Sequence, residues 1–307
     1  MKSKVFVLSA VVLASVMLFT ACQQAAPAAE AAPAEAAAPA EEAAPTEAPA
    51  VAPALSGQLQ LAGSTSVQPL AEELANAFMA ANPEVSIDIQ GGGTSVGVTS
   101  AGDGTVDIGN ASRAIKDSEM EQYPNLQVFT IAYDGIAVIV NPDVELTSLT
   151  KDQVQAIFAG EVTNFSEVGG PDAPITVVSR EEGSGTRGAF EELVLEYKDA
   201  NGEKQIKPIV DSALLQQSNG QLLTVVATTP NSIGYLSFGF LDDSVRALAI
   251  DGIEPTVENV KNGTYPIYRP FNMLTNGAPS ELSQAFLDFV LGADGQAIVA
   301  EDYITVD

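Results

Sequence analysis

The residues best equipped for chemistry in this 307-residue chain sit in one short loop, Arg180-Glu-Glu-Gly-Ser-Gly-Thr186. The loop runs into Arg187-Gly-Ala-Phe-Glu-Glu-Leu-Val-Leu-Glu, and Phe190, Leu193, Val194 and Tyr197 fall on one helical face. The first turn of such a helix presents N–H groups that have no partner within the helix, and its dipole points positive in the same direction. With the Ser184 and Thr186 hydroxyls beside those groups and Arg180 just upstream, the loop is suited to an oxyanion. The same residues would also serve as an ordinary helix cap, so this loop alone does not decide between the two.

Three more loops of the same character come after short strands. Gly63-Ser-Thr-Ser66 comes after Gln58-Leu-Gln-Leu-Ala62 and before a helix with Val67, Leu70, Leu74 and Phe78 on one face, where Pro69 is tolerated in the first turn. Gly91-Gly-Gly-Thr-Ser-Val-Gly97 comes directly after the alternating strand Val85 to Gln90. Val106-Asp-Ile-Gly-Asn-Ala-Ser-Arg113 is a strand that ends in a polar loop. Open α/β sheets bind ligands at the carboxyl ends of their strands. Four hydroxyl-rich loops in that position, two of them with an arginine, point to an anion held by aimed donors.

Other phosphate and metal motifs do not fit. Gly183-Ser-Gly-Thr-Arg187 lacks the lysine of a nucleotide P-loop, and residues 91–97 lack the G-x-G-x-x-G spacing. Asp103-Gly-Thr-Val-Asp107 lacks the full ligand series of a calcium loop. The chain has no histidine, which removes His bases, Ser-His-Asp triads and His metal sites, and its single cysteine, Cys22, excludes disulfides and thiolate clusters. The loops offer hydroxyls and guanidinium groups without a base to activate them, so binding without turnover is expected, with no catalytic residue, cofactor or metal. The formal charge of −27 makes nucleic acid and anionic membrane surfaces poor partners. It also means that any bound anion is held locally rather than drawn in by the overall field.

The elements that must position these loops can be read in order. Residues 1–22 have Lys2 and Lys4 ahead of an apolar run and end in Phe19-Thr-Ala-Cys22, which reads as an export signal. It resembles a bacterial lipoprotein signal with Cys22 as the acylated residue; an uncleaved membrane anchor is the alternative. Residues 23–55 are almost wholly Ala, Pro and Glu, a composition that builds no core and reads as a disordered tether. Beyond it, 46% hydrophobic and 17% charged residues over the whole chain are enough for a large core. Val128 to Asn141 is expected as two extended pieces, with the chain crossing between domains at Asp134-Gly135. Thr150 and Gln153 form a capping box ahead of a helix. Ile175 to Val178 and Ile233 to Phe238 read as strands, Asn219-Gly220 as a helix start, Tyr265 to Phe271 as an extended piece limited by its prolines, and Ser280 to Leu291 and Asp294 to Ala300 as helices.

Taken together, these loops, Ile233-Gly-Tyr235, Gly263-Thr-Tyr-Pro-Ile-Tyr-Arg269 and the Phe286-Leu-Asp-Phe…Gly295-Gln stretch resemble the phosphate-binding lipoproteins of bacterial phosphate ABC transporters. The resemblance runs from about residue 57 to the end. It implies an α/β fold of the two-lobed periplasmic-binding-protein type II, two domains joined by two hinge crossovers. One lobe would comprise 57–133 plus 266–307 and the other 134–265. By position it implies ligand donors at Thr65, Ser66, Thr94 with its neighbour Ser95, Ser184, Gly185 and Thr186, with Arg180 as the charged contact and Glu182 as the acid that orients it. Ser112 stands where many members carry an aspartate that accepts the proton of hydrogen phosphate, and Arg113 adds charge beside it. Without that carboxylate, rejection of sulfate is expected to weaken. The resemblance further implies an exported, lipid-anchored monomer in the cell envelope that hands inorganic phosphate to membrane permease subunits; a receptor for another oxyanion, such as sulfate or molybdate, is the alternative.

Overall fold

The structure, a computed structural model, describes residues 55–306. The expected export signal, Cys22 and the tether up to residue 54 lie outside the described residues.

The first lobe starts with β1 (Ser56–Gly63), α1 (Gln68–Ala81), β2 (Glu84–Gln90), α2 (Thr94–Gly102), β3 (Ile108–Ala111) and α3 (Asp117–Gln122). The chain then crosses over on β4 (Leu126–Val140). The second lobe carries β5 (Ser148–Leu149), α4 (Lys151–Phe158), β6 (Thr176–Arg180), α5 (Gly185–Phe190), β7 (Glu196–Lys198), β8 (Lys204–Ile206), β9 (Leu214–Gln216), α6 (Asn219–Thr228), β10 (Ser232–Ser237), β11 (Arg246–Ala247), β12 (Ala249–Ile250) and α7 (Val257–Lys261). It returns to the first lobe on β13 (Tyr268–Asn276), followed by α8 (Glu281–Leu291) and α9 (Ala293–Asp302).

Eight strands form one long path, β2-β1-β3-β13-β4-β10-β6-β9, with β11 pairing β4 beside it, while β5 with β12 and β7 with β8 form separate two-stranded sheets. β1 runs parallel to β2 and β3, β6 runs parallel to β10 and β9, and the crossing strands β4 and β13 run antiparallel to each other. Each lobe has its own core. Leu59, Leu61, Leu70, Leu74, Phe78, Ile131, Phe271, Phe286 and Tyr303 fill the first. Ile136, Val138, Phe158, Phe190, Ile233, Tyr235, Tyr265 and Ile267 belong to the second. The helical face Val67, Leu70, Leu74 and Phe78 is buried as its spacing predicts.

Two elements depart from the sequence expectations. The apolar run at 128–141 is one continuous 15-residue strand rather than two pieces. It changes partner instead of breaking: Leu126 to Gly135 pair with β13, and Ile136 to Val140 pair with β10. The prolines limit β13 as expected: the strand starts after Pro266, the stretch around Pro270 pairs with β4 alone, and β3 joins only from Asn272 onwards. The helix that begins at Gly185 widens into a π-turn at Glu191–Leu195 and ends there. Tyr197 therefore leaves the helical face and lies half-exposed on the β7–β8 hairpin.

Candidate functional site

Four helix N-termini converge between the lobes. α1 and α2 approach from the first lobe, and α5 and α6 from the second. Each is preceded by a loop rich in Ser, Thr, Asn or Gly, and the loops touch across the cleft. Ser66 Oγ lies 2.8 Å from Thr186 Oγ1, and the Asn219 side-chain amide donates to Ser66 Oγ at 2.8 Å. The Ser95 N–H donates to the Gly183 carbonyl at 3.1 Å. Gly183 has φ +88°, a conformation that favours glycine and that turns its carbonyl toward α2. Gly185 packs so closely on α2 that a Cβ there would overlap the hydroxyls of Thr94 and Ser112.

Arg180 ends β6 and enters this cluster almost fully buried, 1% exposed. Its backbone is fixed from below by the second core. Phe190 stacks on Tyr235 with ring centroids 4.0 Å apart, and the Tyr235 hydroxyl sits 2.8 Å from Ser179 Oγ while accepting the Arg180 N–H at 3.4 Å. Burial, only partly offset by those bonds, pushes the Tyr235 phenol up to about 12, so it stays neutral. The Arg180 guanidinium donates through Nε and Nη2 to the Glu181 carboxylate at 2.9 Å each, and Nη2 also donates to Thr65 Oγ1 at 3.2 Å across the cleft. Nη1 is buried and has no protein partner. A guanidinium N–H left unpaired in the interior is costly and marks a place where a ligand oxygen is wanted.

The acid that pairs with Arg180 is therefore Glu181 and not the expected Glu182. Glu182 is exposed and lines the outer rim. The left-handed turn at Gly183 begins one residue later and leaves Glu181, the chain neighbour of Arg180, facing back toward it. Arg113 is also placed differently from expectation. Its guanidinium grips Glu119 with two bonds of 2.7 and 2.8 Å and caps the Ala114 carbonyl, so its charge is spent on its own lobe. Burial raises the Glu119 carboxyl, but the Arg113 bonds, the Lys116 N–H and both neighbouring charges outweigh it and hold the group below its ordinary value. Arg113, Lys116, Arg187, Ser95 and Glu182 line a cavity of about 310 Å³ at the rim of the cleft.

The remaining expected residues are brought together. Ser112 and Thr94 are fully buried and adjacent, with the Ser112 N–H donating to Thr94 Oγ1 at 3.0 Å. Ser184 caps α5 by accepting the Arg187 N–H at 3.3 Å, and this leaves the N–H groups of Gly185 and Thr186 in the open first turn. Ser95 sits at the margin, half-buried, and Thr65 bridges to Arg180.

Two residues to which the sequence reading gives no ligand contact join this cluster. Asn219 begins α6 and is fully buried against Ser66. Arg269 lies on β13 directly opposite Asp134 on β4, where the two crossing strands pair. Its Nε and Nη2 both donate to Asp134 Oδ2, at 3.1 and 2.9 Å, and its Nη1 reaches Ser112 Oγ at 3.4 Å. Burial raises the Asp134 carboxyl and lowers the Arg269 guanidinium; each partner opposes the shift of the other, and the Arg180 charge lowers Arg269 further. Arg180 reaches Thr65 and Arg269 reaches Ser112, which brings two guanidinium groups to one cluster. The Tyr-Pro-Ile-Tyr-Arg motif carries a signal for Arg269, but its partner is 135 residues away.

Among the described residues, no group of His, Cys, Asp and Glu is placed to hold a metal ion, and no helix is long and apolar enough to cross a membrane. The arrangement is a set of hydroxyl, amide and guanidinium donors contributed by both lobes, with its two carboxylates already consumed by the arginines.

Comparison with known proteins identifies the family. The PBP superfamily domain matches residues 43–294. The phosphate-binding protein PstS of Bacillus subtilis is 36% identical over 82% of this chain and 81% of its own length. PstS of Borreliella burgdorferi is 29% identical over 79% of this chain and 88% of its own. A Clostridium perfringens protein assigned as the substrate-binding protein of a phosphate ABC transporter, solved with bound phosphate, superposes with a TM-score of 0.75 at 41% identity, covering 82% of this chain and 100% of that one. The chain belongs to the PBP superfamily, in the family of the PstS phosphate-binding proteins.

Proposed function

We propose that this protein captures inorganic phosphate between its two lobes and delivers it to the permease of an ABC transporter. The observation that carries this reading is the buried Arg180 Nη1, unpartnered at the meeting point of four helix N-termini. A tetrahedral anion there would receive the Arg180 N–H and the hydroxyls of Thr65, Ser66, Thr94, Ser112, Ser184 and Thr186. It would also receive the first-turn N–H groups of Gly185 and Thr186, with Ser95 at the margin. The relatives named as phosphate-binding proteins support the choice of anion.

The lobes would be 57–133 plus 266–307 and 134–265, turning about the crossings near residues 134 and 266. Binding would close them, and the permease would recognise the closed form. The protein would act as a monomer, without catalysis, held at the outer face of the membrane through a lipid on Cys22.

Equilibrium dialysis with labelled phosphate, competed by sulfate and molybdate, tests the reading. Phosphate retained and displaced least effectively by the other anions supports it; tighter binding of sulfate or molybdate than of phosphate would replace it with a receptor for that anion.

A further inference from the structure

The hydroxyl chain beneath the site has a defined direction. Ser64 Oγ accepts the N–H groups of Ser66 and Val67, at 3.2 and 3.4 Å, and so its lone pairs are used. Its only hydrogen goes to Ser112 Oγ at 2.7 Å. Ser112 Oγ also receives Arg269 Nη1, at 3.4 Å, and a guanidinium has no capacity to accept. Both lone pairs of Ser112 are therefore taken, and its own hydrogen can only be donated, either to a ligand or to Thr94 Oγ1 at 3.3 Å. Thr94 cannot donate to Ser112 for the same reason. In either case Thr94 Oγ1 accepts from Ser112, through its N–H at 3.0 Å, and its own hydrogen is free for a ligand. The carboxylates that might accept a ligand proton are occupied: Asp134 by Arg269 and by the Phe238 N–H, and Glu181 by Arg180.

We propose that Arg269 sets the ligand preference of the site by holding Ser112 as a hydrogen-bond donor, so that the cleft reads the charge and tetrahedral shape of an oxyanion rather than the proton it carries. Arg269 acts as a positioning residue: it reaches the ligand through Ser112, and Asp134 fixes its plane. The inference rests on the oxyanion-receptor reading above and narrows it. A phosphate-like anion with no proton, such as sulfate, meets no opposing lone pair at this position and is not excluded there.

Titration calorimetry of the whole protein with phosphate and with sulfate, on wild type and on Ser112→Ala, tests it. The proposal expects wild type to bind sulfate within about 100-fold of phosphate, since no lone-pair clash separates them. It expects Ser112→Ala to weaken both anions by a similar factor, about tenfold, whether the lost hydrogen met the ligand directly or turned the Thr94 hydroxyl toward it. The double variant Asp134→Leu with Arg269→Leu, which removes the pair together, should free a lone pair on Ser112 and raise the phosphate-to-sulfate preference by about tenfold. Tight phosphate binding with sulfate excluded by more than about 1,000-fold in wild type would overturn the inference and leave the phosphate-receptor reading intact. Loss of phosphate alone in Ser112→Ala, with sulfate unaffected, would also overturn it, because Ser112 would then be an acceptor. Wild type that binds neither anion would overturn the receptor reading and the inference together.

Discussion

Arg180 and Glu181 are consecutive residues whose side chains close on each other in a two-bond ion pair, both bonds at 2.9 Å, while the third guanidinium nitrogen stays free. The pair fixes the direction of the unpartnered N–H at the centre of the cleft without cancelling it. Removing Glu181 should therefore matter where removing Glu182 does not. Glu181→Gln is expected to cost about 1–3 kcal/mol of stability, and Glu182→Gln less than about 0.5 kcal/mol. Urea unfolding of the two variants measures the difference, and equal values would show that the pair is incidental.

The pair Asp134–Arg269 bolts the two crossing strands together inside the protein, with both side chains almost completely excluded from solvent. Breaking it from one side strands a buried charge. Asp134→Ala is expected to destabilise by about 3–5 kcal/mol, whereas replacing both partners with leucine should cost far less. Thermal melts of the single and double variants report this directly, and a double variant as unstable as the single would contradict it.

Gly185 faces Thr94 and Ser112 with no room for a side chain. Gly185→Ala should hold the lobes slightly apart, an overpacking cost of about 1–3 kcal/mol that falls on the closed form. Phosphate affinity is then expected to drop by about 10- to 100-fold with little change in the melting temperature of the unliganded protein. Small-angle scattering with and without phosphate would show reduced compaction in the variant.

The grip of Arg113 on Glu119 gives the first lobe a pH dependence. Glu119 titrates below its ordinary value in the folded protein. Its contribution to stability is thus complete above the unfolded-state carboxyl value of about 4.3 and is lost as pH falls through the lower folded value. Glu119→Gln should be less stable than wild type near pH 7, with the gap closing below about pH 4. Denaturation midpoints across that range check the sign.

Local signals make much of the site legible in the sequence. The loops at 63–66, 91–97, 106–113 and 180–186 each leave the end of a strand through small hydroxyl residues, and cap chemistry needs no knowledge of the rest of the chain. The capping box Thr150–Gln153 forms for the same reason. The features hidden from the sequence depend on contacts across the chain or on single dihedral angles. Which of two adjacent glutamates meets Arg180 is decided by the turn at Gly183. The capture of Arg113 by Glu119 is decided by how α3 packs. Asn219 joins the site only because α6 is docked against the first lobe, and Arg269 meets Asp134 through the register of two strands far apart in sequence. The crossing at Asp134-Gly135 is readable as a change in the chain, but its form, one strand that pairs with β13 in its first part and β10 in its second, is not.

If Arg180, aimed by Glu181, binds phosphate between the lobes, its removal must abolish tight binding and spare the fold. Titration calorimetry of phosphate into wild type and Arg180→Ala, with a thermal melt of each, decides the matter. One phosphate per chain is expected, with a Kd of about 1 μM or tighter, and a loss of at least about 100-fold in the variant while its fold is retained. Phosphate binding within a few-fold of wild type in Arg180→Ala, or no phosphate binding by wild type, would contradict it.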